Sequence, residues 1–279
     1  MELGTFLPQD FDPSLPIALL AGKGDYPRYM WQKIKAMCPN CFIFSFEEEN
    51  HLWIEEADKQ RMLSFSIGQV GTWLKALKKH QICYAVLAGQ ITPKRLFQGL
   101  KPDLKAVFLL AQLKEKNATT IFTTLIQEIE KLDITVLDAR SFIEELLVEE
   151  GPLTNNKAKV DKEYLTKGIH ICQTIAGLDI GQSIVVSNGT VIMVEGFDGT
   201  DAMIERAGTI CNKPMGLIKL AKASQDFRFD VPVFGSRTLK KMYTSGIQWA
   251  ALESVRTLLL NKGDVIKEAE HLGIHLLGF

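Results

Sequence analysis

Short apolar runs alternate with segments of helical periodicity in the first half of the chain, and this alternation restricts the fold more than any other feature. The apolar runs are predicted as strands with both faces buried, at 17–21, 42–46, 84–88 and 134–137. Helices are predicted between them, at 28–37, 70–80, 104–113 and 120–132. Strands that alternate with helices pair in parallel through right-handed crossovers. We therefore predict an α/β fold that begins with a Rossmann-like parallel-sheet domain.

The second half has a different pattern, which predicts a second domain of mixed α/β type. Polar, turn-forming residues at 149–152 mark the boundary, so we predict an N-terminal domain at 1–150 and a C-terminal domain at 151–279. Asn188-Gly189 joins the apolar runs 183–187 and 190–195, and this pair favours the type I′ turn of a β-hairpin. Other helices and strands are predicted at 161–176, 201–207, 217–221, 236–245, 249–252, 264–272 and 274–277.

Composition excludes several classes of protein. Of the 279 residues, 46% are hydrophobic, which is enough for a buried core and excludes an intrinsically disordered chain. The 32 basic and 33 acidic residues nearly cancel, so we expect no nucleic-acid partner. Cys38 and Cys41 form a C-x-x-C without the second pair that a zinc site needs. Because we find no signal-peptide pattern and no apolar run of about 20 residues, we expect a cytoplasmic location.

A glycine turn follows the first predicted strand. Gly22-Lys23-Gly24 lies just before a helix, where backbone N–H groups and the Lys23 ammonium attract a phosphate. Glu47 follows the second strand at the spacing of the ribose-binding acid in dinucleotide-binding folds. Pro27 stands where that fingerprint has its third glycine, which argues against dinucleotide binding. A phosphate or nucleotide site, a dinucleotide site and a plain tight turn all stay open at this point.

Charged residues concentrate where the strand predicted at 217–221 ends, at the edge where open α/β sheets bind ligands. The segment contains two lysines, an arginine and two aspartates: Lys219, Lys222, Arg228, Asp226 and Asp230. Carboxylates suit Mg²⁺, and the cations neutralise the charge of a phosphate, so this segment is the principal candidate site. A solvated, salt-bridged loop is the alternative. Because Pro232 disfavours a helix before it, we expect an extended or looped segment. The alternation of Phe227, Phe229 and Val231 with the charges suggests a half-buried strand.

A second candidate site is the loop 195–201, which joins the predicted hairpin to a helix. Thr200 or Asp201 in this loop serves either as a helix cap or as a ligand contact. The five histidines show no H-E-x-x-H or H-x-H grouping, which disfavours a zinc hydrolase. No G-x-S-x-G is present either, so a serine hydrolase is unsupported.

The motifs of the second half, in their order along the chain, resemble a known family. They are Gln182-Ser183-Ile184-Val185-Val186, Val194-Glu195, Gly199-Thr200-Asp201-Ala202-Met203, Lys219, Lys222 and Gln225-Asp226-x-Arg228-x-Asp230-x-Pro232 with Gly235. Looser matches lie at 20–24, 68–71, 87–89 and 101–104. Together they resemble the UDP-2,3-diacylglucosamine pyrophosphatase family of lipid A synthesis, the type unrelated to calcineurin-like phosphoesterases.

The resemblance implies Mg²⁺-dependent hydrolysis of the pyrophosphate bond of UDP-2,3-diacylglucosamine to UMP and 2,3-diacylglucosamine 1-phosphate, with the lipid product held between two domains. It implies that Asp226 is the essential carboxylate, as a metal ligand or as the group that orients the attacking water. We expect Asp230 as a second metal ligand. Contacts with the substrate or its phosphates are expected from Gly22, Lys23, Gly24, Gln182, Thr200, Asp201, Lys219, Lys222, Gln225 and Arg228.

Two other functions stay open from the residues themselves. A nicotinamide-dependent oxidoreductase would use the Gly22-Lys23-Gly24 turn, but this function gives no role to the charged segment 219–230. A non-catalytic carrier of a lipid or nucleotide would bind product without turnover. An acylated substrate also implies transient contact with the inner membrane surface, and homo-oligomerisation stays open.

Overall fold

The structure, a computed structural model, describes residues 4–47, 53–90, 102–115, 117–156 and 160–279. Lys101 of the motif at 101–104 lies outside the described residues. The chain forms two compact units, one ending at Ile143 and including Phe227–Phe229, the other comprising Glu144–Asp226 and Asp230–Phe279. The two units divide between Ile143 and Glu144, and Val148 is buried in the core of the second unit.

The first unit is built on a parallel sheet of five strands in the order β3-β2-β1-β4-β5. The strands are β1 (Ile17–Ala21), β2 (Cys41–Phe46), β3 (Met62–Phe65), β4 (Tyr84–Ala88) and β5 (Thr135–Val136). The helices are α1 (Tyr26–Met37), α2 (Val70–Lys79), α3 (Leu104–Gln112) and α4 (Ala118–Glu130). Strand order reverses at β1, as in doubly wound nucleotide-binding folds, which confirms the predicted Rossmann-like sheet.

The core of the first unit follows from the apolar faces of its helices. On α2, Trp73, Leu74 and Leu77 share one face and are buried against the sheet, as their helical spacing predicts. Phe229, which comes from the distant segment Phe227–Phe229, packs against the same core and stacks on Phe122 with ring centroids 5.3 Å apart. This segment is therefore part of the first unit's packing.

The second unit is built on a mixed sheet of six strands in the order β6-β13-β11-β9-β7-β8. Its strands are β6 (Gly151–Pro152), β7 (Ser183–Ser187), β8 (Thr190–Val194), β9 (Met215–Lys219), β11 (Ile247–Leu252) and β13 (His275–Gly278), and β10 (Val233–Phe234) pairs separately with β12 (Leu258–Leu259). Its helices are α5 (Lys162–Gly177), α6 (Gly199–Ile210), α7 (Ser236–Thr244) and α8 (Lys262–His271). The prediction that the second domain is of mixed α/β type is confirmed.

Strand direction in this sheet determines where the functional side chains meet. The central strands β9, β11 and β13 are parallel, whereas β7 runs antiparallel to β9. Register therefore pairs Ser183, the first residue of β7, with Lys219, the last residue of β9, and pairs Lys219 with Leu252 of β11. One edge of the sheet collects the end of β9, the end of β11 and the start of β7.

The predicted hairpin is confirmed. β7 and β8 pair antiparallel across Asn188 and Gly189, whose φ angles of +48° and +73° are those of a type I′ turn. Because β8 returns to the edge at which β7 begins, Glu195, the residue after β8, reaches the same edge as Ser183 and Lys219. None of the helices in the described part of the chain is long and apolar enough to cross a membrane.

Candidate active site

The Lys219 side chain is buried at the carboxyl end of β9. Only 6% of the residue is exposed, and its Nζ donates one hydrogen bond, to Thr200 Oγ1 at 3.1 Å. Within the described residues, no carboxylate lies within salt-bridge distance of this ammonium. A lysine is almost never fully buried without a partner, because burying its charge is costly. An anion bound at this edge would supply the missing charge.

Glu195 is the acceptor around which the polar groups of this edge are arranged. Its Oε1 accepts from Thr200 Oγ1 at 2.7 Å, and its Oε2 accepts from the Ser183 hydroxyl and from the Gln182 backbone N–H, the latter at 3.3 Å. Glu195 is itself buried, with 8% exposed. Three donors therefore stabilise a buried carboxylate whose neighbour is a buried ammonium.

Burial and nearby charges act in opposite directions on the ionisable groups of this edge. Burial lowers the pKa of Lys219 below its usual value, while the negative charges of Glu195, Asp230 and Asp201 oppose that shift. Burial raises the pKa of Asp230, and hydrogen bonding by Gln225 and the charge of Lys222 oppose the rise. Perturbed groups gathered in one place are typical of a functional site.

The segment after β9 is a hydrogen-bonded loop with turns, in which Phe227–Phe229 is half-buried. Of the two predicted alternatives, the looped one is confirmed and the strand is wrong. The Lys222 backbone N–H donates to Gln225 Oε1 at 3.1 Å, and Gln225 Nε2 donates to the Asp230 carbonyl at 2.8 Å. The Asp230 N–H donates to the Asp226 carbonyl at 3.0 Å. Because these groups form hydrogen bonds within the segment, they do not pair with a neighbouring strand. The bonds bring the predicted residues Lys222, Gln225, Asp226 and Asp230 into one compact turn.

Other predicted contacts of the second unit have protein partners. The Lys222 ammonium pairs with Asp179, and Asp201 Oδ2 accepts from Arg237 Nε at 3.0 Å. The side-chain oxygen of Gln182 is buried and has no hydrogen-bond donor among the described residues. Gln182 therefore supplies both a backbone donor to Glu195 and an unsatisfied acceptor at the same edge.

The predicted residues of the first unit have different surroundings. The Gly22 N–H donates to the Ala88 carbonyl and the Lys23 N–H to the Gln90 carbonyl, both at 2.8 Å. Because these two N–H groups have protein acceptors, a phosphate at Gly22-Lys23-Gly24 would depend on the Lys23 ammonium and the Gly24 N–H. Arg228 belongs to the first unit, where its Nη1 donates to Glu130 at 2.7 Å.

Two sequence profiles of one family match the chain. The profile described as LpxI N-terminal domain matches residues 16–146, and that described as LpxI C-terminal domain matches residues 149–277. The chain belongs to the LpxI family. A relative from Caulobacter vibrioides described as UDP-2,3-diacylglucosamine pyrophosphatase LpxI is 28% identical over 226 residues, which covers 76% of this chain and 80% of the relative. The resemblance found in the sequence is confirmed, and with it the expectation of an enzyme that hydrolyses a pyrophosphate bond.

Two residues at the site of this LpxI-family chain were missed by the sequence analysis. Glu253 directly follows β11, and its Oε2 accepts from the Ala221 N–H at 2.7 Å. Arg256 donates to Glu253 at 3.2 Å and to the Lys222 carbonyl at 2.9 Å. The available signal was the position of Glu253 directly after the strand predicted at 249–252, since open α/β sheets bind their ligands at the carboxyl ends of strands.

Two carboxylates of the LpxI-family site have the chemistry of magnesium ligands. Asp226 and Asp230 begin and end one turn; burial raises the pKa of Asp230, and the charge of Asp226 adds to the rise. The described residues contain no group of three or more His, Cys, Asp or Glu side chains that could hold a metal ion. Mg²⁺ commonly binds through one or two carboxylates together with substrate phosphates and water. Asp226 and Asp230 supply two carboxylates of the type that such a shared site uses.

Proposed function

We propose that this protein hydrolyses the pyrophosphate bond of UDP-2,3-diacylglucosamine in lipid A synthesis, releasing UMP and 2,3-diacylglucosamine 1-phosphate. The buried ammonium of Lys219, which lacks a carboxylate partner in the described structure, is the observation that carries the proposal. A diphosphate is the kind of anion that compensates such a charge. The description of the Caulobacter relative supplies the substrate.

The residues around Lys219 suit hydrolysis of a phosphoric anhydride. A fixed ammonium in a buried position stabilises the negative charge that develops on the phosphate oxygens as the bond breaks. Lys222, on the neighbouring turn, adds a second cation. We assign to Asp226 the orientation of the attacking water or a place in the metal coordination shell, as the resemblance implies.

Magnesium is the proposed cofactor, held by Asp226 and Asp230 with oxygens of the substrate. When bound, Mg²⁺ neutralises phosphate charge and polarises the phosphoryl group. The turn joining the two aspartates, closed by the Asp230 N–H to Asp226 carbonyl bond of 3.0 Å, supports this assignment because it fixes their backbone separation.

The decisive experiment measures UMP release from purified protein given UDP-2,3-diacylglucosamine, with MgCl₂ or with EDTA. We expect release with Mg²⁺, loss with EDTA and recovery when Mg²⁺ is restored. Asp226→Asn should abolish most turnover while its unfolding midpoint in urea stays close to that of the wild type. No UMP release from a folded wild-type protein, with product still bound, would favour the carrier alternative instead. Turnover that EDTA leaves intact would refute the metal assignment.

The proposed substrate also suggests where the protein acts. The acyl chains of the substrate keep the substrate in a bilayer. We therefore place the protein in the cytoplasm with transient contact at the inner membrane surface. Cosedimentation with vesicles that contain the substrate, compared with vesicles that lack it, tests this placement. Equal and negligible cosedimentation in both cases would contradict it.

A further inference from the structure

Lys219 and Glu195 are connected by a single hydroxyl group. Lys219 Nζ lies 3.1 Å from Thr200 Oγ1, and Thr200 Oγ1 lies 2.7 Å from Glu195 Oε1. Thr200 is at the start of α6, Glu195 follows β8, and Lys219 ends β9. Three separate elements therefore contribute one residue each to this connection.

The direction of each hydrogen bond in this connection is fixed by chemistry. An ammonium only donates and an ionised carboxylate only accepts, so Thr200 must accept from Lys219 and give its one hydrogen to Glu195. The Ser183 hydroxyl is committed in the same way, because it donates to the other Glu195 oxygen. Thr200 consequently has no hydrogen left to donate to a substrate phosphate.

We propose that Glu195 is a positioning residue, which acts through the Thr200 hydroxyl to hold the Lys219 ammonium at the phosphate site. The inference rests on the proposed function and deepens it. It also assigns Thr200 to support of Lys219 rather than to substrate contact. Lys219 keeps two further N–H groups, which have no acceptor among the described residues and remain for a phosphate.

The charges near Lys219 come from several elements of the second unit. Negative or ionisable groups are contributed by Glu195 after β8, Asp230 in the charged turn, Cys172 on α5 and Asp201 on α6. Among them, Glu195 has the largest effect on the ammonium, and it is the one connected to it through a hydroxyl. Removing its charge while keeping its shape therefore tests the inference selectively.

Thr200→Val and Thr200→Ser separate the hydroxyl from the rest of the side chain. Valine removes both hydrogen bonds at nearly equal volume, whereas serine keeps the hydroxyl. We expect Thr200→Val to lower kcat by about 10- to 100-fold, the scale typical of groups that orient a ligand, and Thr200→Ser to recover most of it. Thr209→Val on the exposed face of the same helix is the matched control and should behave as the wild type.

Glu195→Gln provides a second test that does not depend on Thr200. The amide oxygen can still accept from Thr200, whereas the amide nitrogen can donate to the Ser183 hydroxyl but no longer accepts from the Gln182 N–H. The charge that favours protonated Lys219 is gone. Activity that requires the ammonium should then be lost at lower pH, so the alkaline limb of the pH profile moves toward neutrality. A side chain that only supports the fold would change the unfolding midpoint and leave that limb in place.

Binding of inorganic pyrophosphate, measured by calorimetry, keeps this inference separate from the proposed reaction. Weaker binding by Thr200→Val than by Thr200→Ser supports the inference even where the wild type releases no UMP, an outcome that would refute the reaction alone. Equal pyrophosphate affinity and equal kcat for wild type, Thr200→Val and Glu195→Gln, all folded, would overturn the inference.

Discussion

Replacing Lys219 with methionine is the sharpest test of the buried ammonium. The side chain keeps its length and apolar character while the charge is removed. Lys219 is 6% exposed, so its interaction with a phosphate is weakly screened by water. Two unit charges about 4 Å apart interact by about 4 kcal/mol at an effective dielectric constant of about 20. Removing one preorganised donor from an active site costs about 100- to 1,000-fold in rate. We therefore expect kcat/KM for UMP release to fall by about 100- to 1,000-fold.

Lys222 and Lys213 provide the matched comparisons. The side chain of Lys222 is 28% exposed and pairs with Asp179, whose side chain is 78% exposed, so solvent screens this pair. Such pairs contribute up to about 1 kcal/mol, and we expect Lys222→Met to reduce kcat/KM by less than about 10-fold. Lys213 is exposed before β9 begins, at the opposite end from Lys219, and Lys213→Met should have no effect.

The stability of each variant is measured by urea unfolding alongside its activity. Because the methionine no longer has a buried charge, we expect no fall in the urea midpoint of Lys219→Met. A folded Lys219→Met protein within about threefold of wild-type kcat/KM would refute the reasoning. A fall in kcat/KM that is equal or larger in Lys222→Met would also refute the reasoning. Exposure and ion pairing would then not explain which of the two lysines matters more for activity.

Asp58→Ala should lower the free energy of unfolding by about 1–3 kcal/mol at pH 7, because it leaves the buried Trp31 indole N–H, 2.8 Å from Asp58, without its acceptor. Burial raises the pKa of Asp58, but hydrogen bonds from Trp31 and Lys35 lower it on balance. The stability that Asp58 contributes is therefore lost as pH falls through its folded-state pKa. Acid titration of Asp58→Asn should show a weaker loss of stability. Gly216→Ala should cost about 1–3 kcal/mol, because its Cβ would lie 2.0 Å from Trp249 Cε2, and unfolding in urea measures this cost. Gly263→Ala on α8, where an added Cβ meets no atom within 4 Å, should instead raise stability by up to about 1 kcal/mol, and a loss there would contradict the packing argument.

The parts of the fold that were predictable are those in which local sequence decides the structure. The apolar runs of β1, β4 and β7 were predicted with their observed bounds, because strands buried on both faces need continuous apolar residues. β3 was missed because Met62–Phe65 is only partly buried and follows a 3-10 turn at Glu56–Arg61. β10 and β12 have two residues each, too few for any periodicity to appear.

In the site, too, the features that local sequence decides were predictable and those that depend on strand pairing were not. Lys219 was predicted from its place at the end of a strand, and Thr200 from its place in a loop beside a helix. The connection through Glu195 could not be predicted, because it depends on β8 returning to the edge at which β9 ends. The approach of Glu253 to Ala221 likewise depends on the register of two parallel strands far apart in sequence.

The assignment of Phe227–Phe229 to the first unit has a consequence for how the protein can be dissected. The backbone leaves the second unit after Asp226 and re-enters it at Asp230, so no single cut yields both units with all their residues. A fragment ending at Ile143 would lack Phe229, which stacks on Phe122, and the Phe227 carbonyl, which accepts from the Ala139 N–H at 2.8 Å. A fragment starting at Glu144 would carry two phenylalanines with no core of their own. Studies of the separate halves should therefore supply this tripeptide to the first and replace its aromatic side chains in the second.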